Sequence, residues 1–573
     1  MSEPLDALSL PLWGSRLIEA SAGTGKTWTI AALYLRLVLG HGDESEAHAR
    51  ALVPSEILVL TFTRAATREL SDRIRARLLE AARVFRGDAE ATDPLLTQLL
   101  AAHDGAARPA AGWRLAAAAE SMGDAAVFTI DAWCQRMLRE HAFDSGSLFD
   151  EELVPDDGVL RDEAVRDYWR QHFYRLSPDQ LDVALSVWKD VDALRADMRA
   201  LLPQAPRVET GEPLGAVVDR ESRRFREALA AVQAHVDAMR DWLETHYAAD
   251  HFAKKRFQPK WFNPDLDKLA KGAGSPAALC KALGEKGCER LTPAFLAEVW
   301  TGPAPLDLPP GFDAFADLMA VPDWAAPLRL HAASHVAARL QELKRQSGRF
   351  GFQDMLDRLD AALAGPNGER LRERIVAQYP VALIDEFQDT SPVQYRIFDQ
   401  LYRTAANEPA TALLLIGDPK QSIYGFRGAD IHSYLAARRA TEGRHYVLDT
   451  NHRSTGALVS AVNHLFDTAE QRPGAGAFLL RAGGDDPLPF LSVKARGRAE
   501  HLRTADGEVP AVTLCVDAEL LDTRSIQRRF AAACAERIVG WLNDPGTGFE
   551  GGGEAFRRLR PADIAVLVRK GDE

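Results

Sequence analysis

The chain has 573 residues, of which 46% are hydrophobic and 26% charged, and its formal net charge is −13. Its length, the lack of a long apolar stretch or a basic leader, and five cysteines without a C-x-x-C pair favour a reduced, cytoplasmic protein of three or four domains. The negative charge does not exclude nucleic acid as a partner, because a binding groove needs only a local basic lining.

The first predicted strand, residues 16–20, runs into a phosphate-binding loop. The loop consists of Ala20, Ser21, Ala22, Gly23, Thr24, Gly25, Lys26 and Thr27. It fits the pattern G-x-x-x-x-G-K-[ST] except for alanine at the first position. Such a loop wraps a triphosphate in backbone N–H groups, while its lysine reaches the outer phosphates and its threonine hydroxyl binds Mg²⁺. A helix is predicted from Lys26 to Leu39, because the apolar spacing is helical and Gly40 is a good cap.

Alternating strands and helices continue the pattern. A strand at 57–61 precedes a charged helix over about 64–86, and a third strand covers 127–130. Residues 146–345 are mainly helical. The remaining strands are predicted at 381–385, 412–418 and 446–448. Short apolar strands between helices predict an α/β fold, with a parallel sheet covered on both faces and interrupted by a large helical insertion.

Within the insertion, residues 251–262 interleave lysine and arginine with aromatic residues. This composition suits a contact with duplex or single-stranded nucleic acid. A solvated helix face with buried aromatic side chains explains it equally well, and both explanations stay open at this point.

Asp385 and Glu386 follow four apolar residues and are therefore expected at the carboxyl end of a strand, where α/β sheets place their ligands. Asp385 is expected to hold Mg²⁺, directly or through water. Glu386 is expected to orient and deprotonate the attacking water. Together with the phosphate loop, the two carboxylates predict hydrolysis of a nucleoside triphosphate.

Another polar segment follows the strand at 412–418. The neutral amide of Gln421 is suited to sensing the γ-phosphate. Tyr424, Phe426 and Arg427 combine two rings with a cation, a set that suits stacking on unpaired bases. The segment therefore predicts a contact with single-stranded nucleic acid close to the nucleotide site.

Together, these motifs resemble the superfamily 1 DNA helicases of the UvrD/Rep type, and among them the RecB branch, the beta subunit of exodeoxyribonuclease V. The resemblance covers roughly residues 10–470. Further motifs that carry it lie at 60–66, 128–137, 351–356 and 451–454. AddA-type subunits share most of these motifs, but the phosphate loop and the segment Gly-Asp-Pro-Lys-Gln at 417–421 are closer to RecB.

The resemblance implies two RecA-like motor domains with ATP and Mg²⁺ bound between them. The expected domains are the first motor domain at 1–145, the insertion at 146–345, the first motor domain continued at 346–475 and the start of the second at 476–573. Because the chain ends just after an apolar strand predicted at 563–568, we expect a truncated second motor domain and a nuclease domain beyond Glu573.

The same resemblance assigns roles to single residues. Arg453 matches an arginine that contacts the γ-phosphate and stabilises transition-state charge, and His452 takes the place of an aromatic ring against the adenine. The residues expected to bind DNA are Phe62, Thr63, Asp131, Tyr424, Phe426 and Arg427. Two positions depart from the family pattern. Asp131 replaces the usual histidine, and Trp13 stands where many relatives carry an adenine-reading glutamine.

The resemblance implies an ATP-dependent DNA helicase that moves on single-stranded DNA and unwinds duplex ends in recombinational repair of double-strand breaks. RecC-like and RecD-like subunits are the expected partners, and no membrane is. The alternative is an ATP- and DNA-binding fragment without productive motor activity, because the second motor domain is incomplete.

Overall fold

The structure is a computed structural model that describes residues 3–142, 152–154, 156–202, 211–425, 428–482 and 485–568. The chain divides into two compact units. The first combines Met1–Phe149 with Gln353–Glu573, and the second, Asp150–Phe352, interrupts it along the sequence. None of the described helices is both long and apolar enough to cross a membrane.

A seven-stranded parallel sheet forms the centre of the first unit. Its strands are β1 (Glu3–Pro4), β2 (Gly14–Ala20), β3 (Ile57–Thr61), β4 (Val127–Thr129), β5 (Val381–Ile384), β6 (Ala412–Gly417) and β7 (His445–Leu448). Their order across the sheet is β1-β7-β2-β6-β5-β3-β4, and all neighbours are parallel. β2, β3, β5 and β6 are buried along their whole length, as expected of strands covered on both faces.

The first unit also contains helices that lie before and after the inserted unit along the chain. Those described are α1 (Lys26–Leu39), α2 (Arg64–Arg86), α3 (Pro94–Ala101), α4 (Ala107–Glu120), α5 (Ile130–Glu140), α6 (Phe352–Ala364), α7 (Gly368–Gln378), α8 (Pro392–Tyr402), α9 (Ile431–Ala440), α10 (Gly456–Gln471) and α11 (Thr523–Asn543). α1 and α2 have the predicted bounds. α1 ends because Gly40, at a φ of 66°, turns its N–H back to the carbonyls of Arg36 and Leu37. Apolar residues of α1 to α4 and of the central strands form one core.

Parallel pairing brings the carboxyl ends of β2, β6 and β5 to one edge of the sheet. The phosphate loop follows β2, the segment that starts at Asp418 follows β6, and Asp385 follows β5. Because β6 lies between β2 and β5, the three polar segments are neighbours at this edge although they are far apart in sequence.

Most predicted strands of the sheet are confirmed with small shifts of their ends. The third is one residue shorter than predicted, because the Thr129 hydroxyl accepts a hydrogen bond from the N–H of Ala132 and Ile130 already begins α5. The sequence does not predict β1, which has two residues and pairs with Tyr446 and Val447. Two residues carry no periodicity that a pattern can detect.

The prediction of a strand at 563–568 is wrong. Pro561–Asp563 forms a 3₁₀ turn, and Leu567 and Val568 beyond it are exposed. Within the described chain no strand pairs with this segment, so its N–H and C=O groups have no ladder to join.

A small antiparallel sheet lies near the end of the first unit. His501–Thr504 pairs with Gly507–Glu508 and with Gly548–Gly551, which in turn pairs with Glu554–Arg558. No residue of α11 is buried among the described parts of the chain. These elements do not include a parallel sheet, and the second motor domain at 476–573 stays a prediction.

The second unit is mainly helical. Its described helices are Gly158–His172, Pro178–Val187, Val191–Leu201, Leu214–Gln233, Val236–Ala248, Pro259–Lys271, Pro276–Leu283, Glu285–Arg290, Pro293–Val299, Pro310–Met319 and Ala325–Ser347. Two short strands, Glu152–Leu153 and Arg349–Phe350, pair in parallel. The helices surround a core of their own, which contains many aromatic side chains.

The basic and aromatic segment at 251–262 contributes to that core. Its buried rings are Phe252, Phe257 and Phe262. Lys254 and Arg256 are exposed and pair with neighbouring carboxylates. These three rings are buried, as the second explanation expects, and are not available to stack on bases. Contact of the exposed cations with nucleic acid stays a prediction.

Candidate active site

Glycines at positive φ shape the phosphate loop. Gly23 has a φ of 80° and Gly25 a φ of 94°, values that glycine adopts at little cost. Gly25 is the N-cap of α1, and no side chain caps it. The first N–H groups of α1 are thus left for another acceptor, as phosphate binding requires. Ala20, which replaces the first glycine of the pattern, is the last residue of β2, where extended backbone does not require glycine.

Residues 451–454 are joined to the phosphate loop by hydrogen bonds. The Asn451 side-chain amide donates to the carbonyl of Ala22 at 2.8 Å. The backbone N–H of His452 donates to the carbonyl of Gly23, also at 2.8 Å. The sequence motif contains Asn451 but does not reveal this contact, because the partner lies 429 residues away.

The same segment brings Arg453 next to the loop. The N–H groups of Arg453 and Ser454 donate to the Asn451 side-chain oxygen at 2.9 and 2.8 Å, which fixes the turn. A Cβ atom on Gly23 would lie 2.7 Å from the Cβ of Arg453, so this approach requires glycine. Within the described chain, the exposed side chains of Arg453 and His452 make no hydrogen bond or ion pair. Both residues lie next to the loop, and their contacts with a nucleotide stay predictions.

Lys26 and Glu386 join the loop to the carboxylates after β5. The Lys26 ammonium lies 2.5 Å from Glu386 Oε2, and the lysine side chain is only 14% exposed. Asp385 is anchored to the sheet by its N–H, which donates to the carbonyl of Leu60 at 2.8 Å. The Asp385 carboxylate accepts from the N–H of Glu386 at 3.0 Å. The structure therefore brings together the lysine and the two carboxylates that the motifs predict.

Negative charge exceeds positive charge at this point. Burial and the charge of Glu386 raise the pKa of Asp385 to about 6, and Lys26 opposes this only in part. The pKa of Asp389 rises to about 6 for the same reasons. Asp389 Oδ1 is buried without a hydrogen-bond partner among the described residues. The described residues contain no group of three or more acidic, histidine or cysteine side chains that could hold a metal ion by themselves. Mg²⁺ needs only one or two protein ligands when phosphates supply the others, so Asp385 and Thr27 fit Mg²⁺ bound with a triphosphate.

Glu386 itself has an unusual backbone conformation. Its φ of 52° and ψ of 43° lie in the left-handed region, which costs a non-glycine residue about 1–3 kcal/mol. It forms the N-cap of the short 3₁₀ turn Phe387–Asp389. Such backbone strain persists only where the surrounding structure imposes it, and it is most often found at functional sites.

Gln421 lies at the same sheet edge but is bonded to its own segment. Its amide donates to Asp418 Oδ2 at 2.7 Å, and Asp418 is only 2% exposed. The Lys420 ammonium lies 2.9 Å from the other oxygen of Asp418. The buried Asp418 thus sets the position of the predicted phosphate sensor.

The aromatic residues predicted to stack on bases are close together in part. The ring centroids of Phe62 and Tyr424 lie 5.4 Å apart. Phe62 follows β3 and Tyr424 follows β6 in sequence, so both rings belong to the same carboxyl edge of the sheet as the phosphate loop. Phe426 and Arg427 lie outside the described residues, and their DNA contacts stay predictions.

The other two residues predicted to bind DNA have partners within the protein. The Thr63 hydroxyl accepts from the N–H of Ala66 at 3.1 Å and caps α2. Asp131 accepts a hydrogen bond from the Gln394 amide at 3.4 Å. Burial raises the pKa of Asp131, and the bond from Gln394 opposes this rise. Contacts of both residues with DNA stay predictions.

Trp13 cannot make the base contacts of the glutamine that is expected at its position. Its indole N–H donates to the carbonyl of Ser45 at 2.7 Å. The Arg16 guanidinium lies 4.7 Å from the centre of the indole ring, a cation–π distance. The ring is therefore held by protein partners and presents no amide that could read a base.

Comparison with known families agrees with this geometry. The family model of the UvrD/REP helicase N-terminal domain matches residues 2–442. The chain belongs to this helicase family. RecBCD enzyme subunit RecB of Escherichia coli is 39% identical and that of Haemophilus influenzae 32% identical, each over 100% of this chain and 48% of the relative. RecB of Mycobacterium tuberculosis is 29% identical over 78% of this chain and 29% of the relative.

The chain thus spans about half the length of the first two relatives. The predicted resemblance to UvrD/Rep-type helicases and to RecB is confirmed. The predicted α/β class is confirmed as well, since a parallel sheet carries the motifs by which this helicase family is recognised. Helicases of this family use ATP, and the phosphate loop supplies a place for it.

Proposed function

We propose that this chain is the ATP-driven motor part of a RecB-type DNA helicase. It would couple ATP hydrolysis to movement along single-stranded DNA and to unwinding of duplex ends in recombinational repair of double-strand breaks. The observation that supports this most directly is the meeting of the phosphate loop, the carboxylates after β5 and residues 451–454 at one sheet edge. The relatives named as RecB support the choice among enzymes that share a phosphate loop.

The residues divide the work of hydrolysis. In the proposal, residues 20–27 and Arg453 hold the phosphates of ATP, and Thr27 and Asp385 hold Mg²⁺. The bound Mg²⁺ supplies positive charge to the phosphate oxygens. Lys26 is drawn from its contact with Glu386 to the outer phosphates, since these carry more negative charge than one carboxylate.

Release of the lysine prepares Glu386 for its own role. A carboxylate that has lost its ammonium partner is a better acceptor for a proton of the attacking water. Glu386 is 35% exposed on its side chain, so water can reach it. Gln421, held by Asp418, is proposed to respond to the γ-phosphate from the neighbouring strand end.

Movement on DNA would use the rings beside this site. Phe62 and Tyr424 are proposed to stack on unpaired bases. Thr63, at the start of α2 after β3, and Asp131, in α5 after β4, are proposed as further DNA contacts. RecC-like and RecD-like subunits are the proposed partners, because the relatives are named as subunits of a RecBCD enzyme. The proposed location is the cytoplasm, where such an enzyme meets chromosomal DNA.

The test is the steady-state ATPase rate of the 573-residue chain with and without single-stranded DNA. Strong stimulation by DNA is expected, because the ATP site and the proposed DNA-binding rings follow neighbouring strands. ATP binding without turnover would instead support an ATP- and DNA-binding fragment that lacks motor activity. Absence of Mg²⁺-dependent ATP binding would contradict the assignment of the phosphate loop itself.

A further inference from the structure

Resting on the proposed function, we propose that Gln388 is a positioning residue that couples the ATP site to residues 418–424, here called the sensor segment. The sequence motifs assign no role to Gln388, which lies two residues after Glu386. In the structure it is only 2% exposed and lies between the proposed water-activating carboxylate and the sensor segment.

Both ends of the Gln388 amide are used. Its Nε2 donates to Glu386 Oε2 at 2.8 Å. Its Oε1 accepts from the backbone N–H of Asp418 at 2.9 Å. The backbone carbonyl of Gln388 also accepts from the Ser422 hydroxyl at 3.2 Å. Gln388 therefore holds the sensor segment at two points while it holds the carboxylate of Glu386.

These bonds form a continuous relay with charged groups at one end. Lys26 contacts Glu386 at 2.5 Å, Glu386 accepts from Gln388, and Gln388 accepts from Asp418. Asp418 in turn accepts from the Gln421 amide at 2.7 Å. The relay runs from the phosphate loop to the predicted γ-phosphate sensor, and the sensor segment ends at Tyr424, beside the ring of Phe62.

Only a primary amide of this length meets both demands. A carboxylate side chain cannot donate to Glu386, and an apolar side chain can bond to neither partner. The amide also requires glycine at position 417, because a Cβ atom on Gly417 would lie 2.6 Å from Gln388 Oε1. The buried amide is thus fitted between the turn after β5 and the end of β6 rather than placed there by general packing.

The relay gives nucleotide binding a physical route to the sensor segment. When Lys26 moves to a phosphate, Glu386 keeps Gln388 as its donor, and the bond between them strengthens because the carboxylate is less neutralised. A shift of Glu386 is then transmitted to Asp418 through the amide, which is hydrogen-bonded at both ends. By reciprocity, DNA that displaces Tyr424 alters the position of Glu386 through the same bonds.

The coupling is measured as the ratio of two dissociation constants. Binding of a fluorescent single-stranded oligonucleotide to the 573-residue chain is followed by anisotropy, with and without a non-hydrolysable ATP analogue and Mg²⁺. For the wild type we expect the two constants to differ by roughly 5- to 150-fold. In Gln388→Met, which keeps the side-chain length but loses both bonds, we expect the ratio to fall to within about 2-fold of unity.

Further variants separate coupling from folding and packing. Gln388→Leu also loses both bonds without adding a titratable group, so it should lose the coupling too and decides the case if Gln388→Met does not fold. Gln400→Met is the matched control. The Gln400 amide donates to the Asp360 carboxylate with a hydrogen bond of 2.7 Å, and neither residue belongs to the relay. The control should keep the wild-type ratio.

The outcomes are distinct for the two proposals. Folded Gln388 variants that bind each ligand alone with wild-type affinity but without coupling support the relay. A wild-type ratio retained in these variants overturns it, as does a wild type that binds both ligands without mutual effect. A wild type that binds neither ligand overturns the proposed function, and this is seen before any variant is made.

Discussion

The sheet edge of the first unit and the helical core of the second each bury ionisable side chains, but they satisfy them in different ways. At the sheet edge, the Lys26 ammonium pairs with Glu386, and its charge offsets the raised pKa of Asp385 and Asp389 only in part. Burial keeps the pKa of both aspartates at about 6, and the backbone of Glu386 is strained. This cluster is built with a surplus of negative charge.

The second unit contains a histidine cluster, formed by the rings of His172, His331 and His335, that has no such surplus of negative charge. Both ring nitrogens of His331 have partners, the hydroxyl of Tyr168 at 2.8 Å and the carbonyl of Glu212 at 2.9 Å. Burial, reinforced by neighbouring histidines, lowers the pKa of His331 and of His172 to about 4. The rings are therefore neutral at pH 7, and the buried His331 ring is fully hydrogen-bonded.

The difference separates a site from a core. A neutral cluster with satisfied hydrogen bonds contributes to stability and leaves nothing for a ligand to complete. A cluster with surplus negative charge, an unpaired oxygen and a strained backbone destabilises the unliganded protein. Binding of a cation together with a phosphate would stabilise it. Substitutions at the sheet edge should therefore change chemistry, whereas those in the helical core should change stability.

The largest effect is expected for Lys26→Ala. Loss of the main cation for the outer phosphates should lower kcat/KM for ATP by roughly 10³-fold or more. The steady-state ATPase assay measures it, with the exposed Lys281→Ala in the second unit as a control that should leave the rate unchanged. Normal turnover in Lys26→Ala would refute the phosphate-loop assignment.

Glu386→Gln should act on hydrolysis alone. It removes the proposed base but keeps the size of the side chain, so we expect turnover to fall by about 10²–10³-fold while ATP binding persists. Fluorescent-nucleotide binding and single-turnover hydrolysis distinguish the two steps. If binding is lost along with hydrolysis, Glu386 is not the water-activating residue.

His331→Leu should act on stability alone. It leaves the Tyr168 hydroxyl and the Glu212 carbonyl without their partner, which should cost about 2–3 kcal/mol. Hydrogen exchange should show faster opening of the second unit with unchanged nucleotide binding. His235→Leu is the control, because the His235 ring makes no hydrogen bond with described residues, and an equal loss in both variants would contradict the role of the bonds.

The histidine cluster should also make stability depend on pH. The unfolded-state pKa of histidine is about 6.5 and the native value of His331 about 4, so the native state binds fewer protons between these values. The stabilisation is complete above pH 6.5 and is lost as pH falls towards 4, by at most about 1.4 kcal/mol per pH unit for this group. Hydrogen exchange of the second unit between pH 7 and 5 measures it. The dependence should weaken in His331→Leu.

The smallest effect is expected for Asp389→Asn, and its sign is opposite. The native pKa of Asp389, about 6, lies above its unfolded value of about 3.9, so this carboxyl destabilises the first unit as pH rises from 4 to 6. The variant should be more stable at pH 7 by about 1 kcal/mol without nucleotide. Thermal unfolding at pH 5 and 7 measures this gain, and a destabilised variant would contradict it.

Local patterns were sufficient for the elements that carry the motifs. The continuous apolar run of β6 and the helix from Lys26 to Gly40 can be assigned from composition and capping, because their neighbours in sequence decide them. The apolar run at 563–568 misled the same reasoning, because a strand depends on a partner that its own residues do not specify. The two-residue β1 is the reverse case, in which pairing creates a strand without a pattern.

By itself the sequence determined the chemistry of the site: a lysine in a glycine-rich loop, two carboxylates after an apolar run, and the family to which their order belongs. Only the tertiary structure decided how these parts are connected. Asn451 reaches Ala22 across 429 residues, and Gln388 joins Glu386 to Asp418 across 30. Such contacts depend on the order of strands in the sheet, which long-range packing sets and which no local periodicity records.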